Sequence, residues 1–93
     1  MFLLNRLLRD ILRMDLGETN CFKISDTKFL YVENWCNNDG GCFITLELND
    51  GIEINNQYEL GEILEVVTLD YGDKKEIKEG LKFILKCYRV KYK

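Results

Sequence analysis

The sequence contains no histidine and no proline, and only four of its 93 residues are cysteines. Without histidine the commonest general base is missing, and no serine or cysteine can be paired with another base from the sequence. The glycines form neither a G-x-G-x-x-G nor a G-x-x-x-x-G-K motif, the patterns that hold nucleotide phosphates. These absences predict a protein that is not an enzyme and uses no cofactor.

The cysteines, at positions 21, 36, 42 and 87, are unevenly spaced and include no C-x-x-C pair. Small secreted domains are usually richer in disulfides, and structural zinc sites use closely paired ligands. We therefore expect no metal site, and free thiols that pack as small hydrophobic side chains. Cys36 and Cys42 would nevertheless face each other across a predicted hairpin. They could form a disulfide in oxidising conditions, whereas a reducing cytoplasm would keep them apart.

The overall composition, 46% hydrophobic and 31% charged, is typical of one globular domain covering residues 1–93. The formal net charge of −3 gives the whole molecule no general attraction to DNA or to an anionic membrane. Near the N-terminus, charged residues interrupt the apolar run every few positions, unlike a signal peptide or a membrane span. We expect a cytoplasmic protein.

The N-terminal region has the pattern of an amphipathic helix. Apolar residues recur there at the three- and four-residue spacing of one helix face: Leu3, Leu4, Leu7, Leu8, Ile11 and Leu12. Gly17 is a typical residue for the C-terminal end of such a helix.

Residues 20–55 are predicted to form a meander of short strands. Asp26-Thr27 would join the first two strands, and Asn38-Asp39-Gly40 and Asn49-Asp50-Gly51 would each form a three-residue hairpin loop. These loops place apolar residues opposite apolar residues, as a correct register requires. The expected pairs are Cys36–Cys42, Trp35–Phe43, Val32–Leu46, Leu30–Leu48, Leu48–Ile52 and Leu46–Ile54.

Two capping boxes predict helices in the C-terminal half. Asn56 with Glu59 precedes a helical spacing of apolar residues from Leu60 to Val67, and Asp73 with Glu76 precedes a second one from Ile77 to Tyr88. Because residues 83–92 are rich in aromatic and β-branched side chains, an edge strand there is the alternative. The expected fold is α+β: an N-terminal helix, an antiparallel meander sheet of three to four strands, and two C-terminal helical segments.

The expected registers give the sheet two apolar faces. One face would carry Cys21, Leu30, Val32, Ile44, Leu46 and Leu48. The other would carry Phe22, Ile24, Phe29, Tyr31, Trp35 and Phe43. We expect the N-terminal helix to cover one face and the later segments to cover the other, because large exposed apolar patches are uncommon on monomers. If part of the aromatic face were exposed, Glu33 and Glu47 among the rings would favour a protein partner over nucleic acid.

Charge is strongly segregated along the chain. Residues 47–73 hold eight acidic side chains and no basic one, whereas residues 74–93 hold eight basic against two acidic. On a helix, Glu59, Glu62 and Glu65 would repel one another, so an all-acidic surface has a small cost and suggests a use. Such a surface approximates the phosphates of a nucleic acid and would attract the basic groove of a DNA-binding protein.

Three other uses of these charges remain open. The acidic side chains could simply face water. The basic tail could neutralise them within the molecule. Alternatively, the tail could bind nucleic-acid phosphates itself through Lys78, Lys82, Lys86 and Arg89.

Two short stretches resemble a known family. Leu7-Leu8-Arg9-Asp10-Ile11, followed by Asp15, is similar to the first helix of the small prophage-encoded anti-CRISPR proteins of Listeria that inhibit Cas9. Asn37-Asn38-Asp39-Gly40 resembles the tight hairpin loop of those inhibitors. The resemblance covers about the first half of the chain. Beyond Glu79 this sequence turns basic, where the family has a late acidic cluster.

The resemblance implies a helix, a three-stranded sheet and two further helices, and a surface that mimics DNA in the groove with which Cas9 recognises its PAM duplex. Asp15 would then be the acid that closes the first helix. Asp39 would face the arginines that otherwise read PAM guanines, and Gly40 would let the backbone approach closely.

From the sequence we therefore expect a protein-binding inhibitor, encoded by a phage and acting in the cytoplasm of the host cell. The partner would be a Cas nuclease or its complex with guide RNA, with no membrane involved. An immunity or antitoxin protein, or a small nucleic-acid binder, is the alternative. The expected partner-binding residues are Asp15, Asn38, Asp39, Gly40, Glu47, Asp50, Glu53, Glu59, Glu62, Glu65, Asp70 and Asp73.

Overall fold

The computed structural model describes residues 2–93 and has an α+β fold. Its elements follow the order α1 (Leu4–Leu12), β1 (Thr19–Lys23), β2 (Lys28–Cys36), β3 (Cys42–Ile54), β4 (Gln57–Asp70) and α2 (Lys74–Cys87). The four strands form one antiparallel sheet in the order β1-β2-β3-β4. The α+β class, the N-terminal helix and the meander are confirmed. The expectation of two C-terminal helices is wrong, because the first of those segments is β4.

Both helices pack on the same face of the sheet. The buried side chains of α1 and α2 share one core with alternate residues of β2 and β3: Leu4, Leu7, Leu8, Ile11, Ile77, Leu81, Ile84, Leu85, Leu30, Val32, Ile44, Leu46 and Leu48. The expectation that the later segments cover the face opposite the N-terminal helix is therefore wrong for α2, which packs on the same face as α1. No helix among residues 2–93 has the length and apolar content needed to span a bilayer.

The N-terminal cap that Asp73 was expected to provide for α2 is confirmed. The Asp73 carboxylate accepts a hydrogen bond from the Glu76 amide at 3.0 Å, which satisfies one of the free N–H groups at the helix start. The helix continues to Cys87, so residues 83–87, the first half of the segment 83–92, are helix rather than strand. Beyond it, Tyr92 forms a single parallel bridge to Phe2.

The register between β2 and β3 is as expected. Leu30 lies opposite Leu48, Val32 opposite Leu46, Trp35 opposite Phe43 and Cys36 opposite Cys42. The two cysteines of the last pair form a disulfide, whereas Cys21 is a free, half-buried thiol and Cys87 is a free, exposed one. The expectation of buried free thiols is therefore wrong for Cys36, Cys42 and Cys87.

The register between β1 and β2 differs from the expected one by one residue. Phe22 lies opposite Leu30, and Cys21 lies opposite Tyr31. The reason is the connection, where the amides of Ile24 and Ser25 both donate to the carbonyl of Lys28, so the loop is longer than two residues. Because a shift of one residue moves every side chain to the other face, Phe22 and Ile24 face the helices and Cys21 does not.

The hairpin of β3 and β4 turns at Asn55-Asn56, not at Asn49-Asp50-Gly51. Both turn residues have positive φ, 52° and 64°, as a two-residue hairpin turn requires. The expected pairs Leu48–Ile52 and Leu46–Ile54 are therefore wrong, and these leucines lie opposite Glu65 and Val67 of β4 instead. The register shifts between Leu48 and Gly51, so the segment with turn-like composition is a bulge inside a strand.

The distal half of this hairpin bends over one corner of the sheet. There the ring of Tyr58 lies 4.8 Å from the ring of Phe29, centroid to centroid, and Glu53 forms an ion pair of 2.9 Å with Lys23 of β1. The hydrogen bond to Glu53 raises the pKa of Lys23 above its usual value. A second ion pair, 2.7 Å long, joins Asp50 to Lys28. The bend leaves Phe29 fully buried and closes this end of the sheet.

Candidate functional site

The face of the sheet that points away from the helices, called the outer face below, carries polar and aromatic side chains. They form three rows across the strands: Trp35–Phe43–Asp70, Thr19–Glu33–Thr45–Thr68 and Cys21–Tyr31–Glu47–Val66. No helix of residues 2–93 packs on this face, and the residues of these three rows range from half-buried to exposed. The outer face is therefore a regular surface that the described helices leave uncovered.

Trp35 is held in a fixed position at one end of the outer face. The centroid of its ring lies 4.9 Å from the ring centroid of Phe43, and the two ring planes form an angle of 35°. Its Nε1 donates a hydrogen bond of 2.8 Å to Oγ1 of Thr45, which lies 3.2 Å from Oγ1 of Thr68. Aromatic side chains that are already ordered lose little entropy on binding, and they are enriched among the residues that dominate protein interfaces.

Each of these three rows contains one carboxylate, from Glu33, Glu47 or Asp70, and no lysine or arginine. The next row on the same face, Lys23–Phe29–Asn49–Ile63, contains Lys23, which is paired with Glu53 of the distal hairpin. Among residues 2–93 the ion pairs are Arg9–Asp10, Lys23–Glu53 and Lys28–Asp50, so none of them neutralises these three carboxylates. The outer face is thus both aromatic and negatively charged. This combination suits a partner surface that carries arginine or lysine.

The structure divides the expected partner-binding residues into two groups. One group lies at the end of the sheet that holds the β2–β3 turn: Asp15, Asn38, Asp39, Gly40, Asp70 and Asp73. The other lies along the hairpin of β3 and β4: Glu47, Asp50, Glu53, Glu59, Glu62 and Glu65. The β2–β3 turn and the tip of that hairpin are at opposite ends of β3, in a molecule 38 Å long.

The β2–β3 turn is built as a rigid loop. The side-chain oxygen of Asn37 accepts hydrogen bonds from the amides of Asp39, at 3.0 Å, and Gly41, at 2.9 Å. Gly40 has a φ of +85°, which favours glycine. The Cys36–Cys42 disulfide closes the base of the turn, and Asp39 projects from it as an exposed side chain.

Asp15 lies near this turn because the segment after α1 runs beside β2. Buried Asn34 donates side-chain hydrogen bonds to the carbonyls of Met14, at 3.0 Å, and Asp15, at 3.3 Å. The main-chain carbonyl of Asn34 accepts a hydrogen bond from the amide of Gly17, and its main-chain N–H donates one to the carbonyl of Glu18. The structure therefore brings Asp15 and Asp39 to the same end of the sheet as Asp70 of the outer face.

Glu59, Glu62 and Glu65 lie on β4, so their expected spacing along a helix is wrong. Glu65 accepts a hydrogen bond from the amide of Val66, and Tyr88 donates one to the carbonyl of Leu64. These contacts occupy main-chain groups of the sheet-edge strand, which limits strand addition there by another chain. The edge therefore offers a partner its carboxylates more than its backbone.

The sequence did not identify Thr45 and Thr68 as part of the site. Glu33 served only as an argument against nucleic-acid binding and was not among the expected partner-binding residues. The signal was present in β2 and β3, where Tyr31, Glu33 and Trp35 alternate with buried residues. The basic tail is also divided by the structure: Lys78 lies beside the arginines of α1, whereas Lys82 and Lys86 line another groove with Glu79.

Comparisons with protein-family models, with curated proteins and with solved structures find no match to this chain. Within residues 2–93, no group of three or more cysteine, aspartate or glutamate side chains is arranged to hold a metal ion.

Proposed function

We propose that this chain is a protein-binding inhibitor that presents its outer face to the basic nucleic-acid groove of another protein, without catalysis or a cofactor. One observation carries the proposal. The acidic residues between 47 and 73 form ion pairs with Lys23 and Lys28 only, and none with the basic residues 74–93. The negative charge is therefore left for a partner rather than consumed inside the fold.

The outer face offers two kinds of contact to such a groove. An arginine of the partner can stack on Trp35 or Tyr31 while its guanidinium binds the neighbouring Glu33. The carboxylates also produce a field that steers a basic surface toward the face and speeds its capture. Asp15 and Asp39 extend the negative surface beyond the end of the sheet where Asp70 lies.

The target suggested by the resemblance of the first half of the chain is a Cas effector, with or without guide RNA. The support for it is chemical, since the PAM-reading groove of such an enzyme uses arginines that bind guanine edges. A carboxylate surface with aromatic anchors can occupy those arginines. The chain would then act in the cytoplasm of a phage-infected cell.

The experiment measures binding of a PAM-containing DNA duplex to a Cas effector with increasing amounts of the protein. The variant Glu33→Gln/Glu47→Gln/Asp70→Asn removes the charge of the outer face with little change in shape. The control Asp50→Asn/Glu59→Gln/Glu62→Gln removes as many charges from the distal hairpin. We expect the first variant to lose inhibition by a factor of ten or more, corresponding to about 1.4 kcal/mol, and the control to lose much less.

A third variant, Asp15→Ala/Asp39→Ala, tests the residues that the resemblance identifies. If it alone abolishes inhibition, the site is the end of the sheet and not the outer face. If the unmodified protein leaves duplex binding unchanged, and a pull-down from a host lysate returns a partner without a basic groove, the proposed function is wrong.

A further inference from the structure

A second charged surface lies between α1 and α2, on the side of the molecule that faces away from the outer face. It is a groove of about 400 Å³ lined by Asn5, Leu8, Arg9, Leu12, Arg13, Lys74 and Lys78. The lining contains four cationic side chains and no acidic one. It combines basic residues that lie more than 60 positions apart in the sequence.

The four cations form two matched pairs. Arg9 and Arg13 are four residues apart at the end of α1, and Lys74 and Lys78 are four residues apart at the start of α2. Residues with this spacing lie on one side of a helix, about 6 Å apart along its axis. Each helix therefore contributes two cations to the groove, at a spacing that lets them contact successive phosphates of one strand.

The charge of the groove is not neutralised within the described residues. The one ion pair in the lining joins Arg9 to its neighbour Asp10 at 3.4 Å, and both side chains are about half exposed, so the contact is weak. Lys74 lies in the first turn of α2, where the helix dipole disfavours a positive charge. An anion in the groove would relieve the repulsion among these groups.

An apolar recess adjoins the groove on the other side of Leu12. It measures about 200 Å³ and is lined by Ile11, Leu12, Ile44, Tyr71, Gly72 and Ile77. Tyr71 is 41% exposed, so part of its ring is open to a ligand. A ligand that fits both features carries phosphate groups next to a flat or apolar body, as a nucleotide does.

We propose that this groove binds single-stranded nucleic acid, with Arg9, Arg13, Lys74 and Lys78 contacting phosphates and Tyr71 stacking on a base. A duplex presents its bases only at their edges, so it could not place a base on Tyr71. The inference is independent of the proposed function, because it uses none of the residues of the outer face.

The acidic surface does not prevent this binding. The groove is formed by the helices, and the outer face is on the opposite side of the sheet, in a molecule whose shortest dimension is 21 Å. The screening length at physiological ionic strength is about 8 Å, so Glu33 and Glu47 of the outer face act only weakly on a strand in the groove. Asp70 and Asp73 are the chain neighbours of Tyr71 and Lys74, so their repulsion reduces the affinity that the four cations provide. The net charge of −3 therefore does not describe the local field at this site.

The test is fluorescence anisotropy with an end-labelled single-stranded DNA of twelve nucleotides, titrated with the full chain at several salt concentrations. The variants are Arg9→Gln/Arg13→Gln and Lys74→Gln/Lys78→Gln. Lys82→Gln/Lys86→Gln is the matched control, because it removes the same charge from α2 but from a different groove. Circular dichroism and melting curves establish that all three variants are folded.

The salt slope is the slope of the logarithm of the binding constant against the logarithm of the salt concentration. Each groove variant should reduce its magnitude by about 1.4, since each phosphate contact contributes about 0.7 for a single strand. Between 1 M and 0.1 M salt, the affinity of each groove variant should therefore rise about 25-fold less than the affinity of the unmodified chain. The control should leave the slope unchanged, and Tyr71→Leu should weaken binding without changing the slope, because it removes stacking and no charge.

Three results would overturn the proposal. One is the absence of binding by the unmodified chain at 50 mM salt. Another is an equal loss in Lys82→Gln/Lys86→Gln, which would indicate diffuse attraction to the basic helix. The last is displacement of the strand by a free mononucleotide at equal concentration, which would assign the groove to a small nucleotide. Displacement that needs a large excess of mononucleotide supports binding of the strand.

Discussion

Gly51 allows the most direct test of how the β3–β4 hairpin bends over the sheet. A Cβ atom at this position would lie 2.7 Å from the carbonyl oxygen of Glu59 and 2.7 Å from Cδ2 of Phe29. The first of these atoms belongs to the main chain of the paired strand, and the second to a fully buried ring. Neither can move without disturbing the hairpin, so Gly51→Ala should be destabilising.

Gly61, on the partner strand, is the matched control. A Cβ atom there would meet its nearest neighbour, the carbonyl oxygen of Asp50, at an ordinary contact distance of 3.4 Å. Replacing a glycine by alanine where the chain can accept it stabilises a protein by about 0.4–1 kcal/mol, because the unfolded chain loses freedom. Overpacking at Gly51 should instead cost about 1–3 kcal/mol.

For a domain of this size, 1 kcal/mol corresponds to roughly 4–8 °C in melting temperature. We therefore expect Gly51→Ala to melt about 8–16 °C below the unmodified protein for a cost of about 2 kcal/mol, and Gly61→Ala to melt at or slightly above it. Thermal unfolding followed by circular dichroism measures both. Equal melting temperatures for the two variants would refute the bend, and with it the contact of Tyr58 on Phe29.

Three further predictions concern the elements that support the site. Asp73→Ala should cost about 1 kcal/mol in unfolding free energy, and Asp73→Asn much less, because asparagine retains the cap to the Glu76 amide; urea denaturation tests this. Asn34→Ala should cost about 1–3 kcal/mol, since it leaves two main-chain carbonyls without their buried donor; an unchanged urea midpoint would contradict it. Burial raises the pKa of the Cys21 thiol, so at pH 8 iodoacetamide should modify exposed Cys87 before Cys21, as peptide mass spectrometry can show.

The parts of the fold that the sequence predicts correctly depend on local signals. The apolar spacing of α1 and the capping box of α2 each specify a helix within a few residues. The β2–β3 register follows from one short loop and from four apolar pairs that match only in that alignment. These features need no knowledge of distant parts of the chain.

The segment that forms β4 shows where local signals are ambiguous. Leu60, Ile63, Leu64 and Val67 have helical spacing, and Asn56 with Glu59 has the form of a cap, yet residues 57–70 are a strand. Pairing with β3 decides this outcome, because 11 of the 14 residues of β4 gain a partner there. The turn at Asn55-Asn56 permits that pairing. The sequence did not predict this turn, because the composition of Asn49-Asp50-Gly51 is more typical of a hairpin loop.

The sequence predicts the negative charge of the candidate site but not its geometry. The count of acidic residues in 47–73 predicts a negative surface, whereas the fate of each carboxylate depends on tertiary contacts. Asp50 pairs with Lys28, its cross-strand partner on β2, whereas the ion pair of Glu53 with Lys23 of β1 depends on the bend of the hairpin. The groove between the helices depends on the approach of α1 and α2, which no local pattern encodes.

The connection between β4 and α2 explains why adjacent acidic and basic segments do not neutralise each other. The chain leaves β4 at Asp70 and enters α2 at Lys74, and the apolar side of α2 then packs on the inner face of the sheet. The lysines of α2 must therefore point away from the sheet, while Glu47 and Asp70 lie on its far side. Core side chains therefore separate Glu47 and Asp70 from the lysines of α2. An ion pair between these lysines and Glu47 or Asp70 would require α2 to expose Ile77, Leu81, Ile84 and Leu85. That exposure would cost about 1.5–3 kcal/mol for each side chain. A surface ion pair contributes only up to about 1 kcal/mol, so the rearrangement is unfavourable.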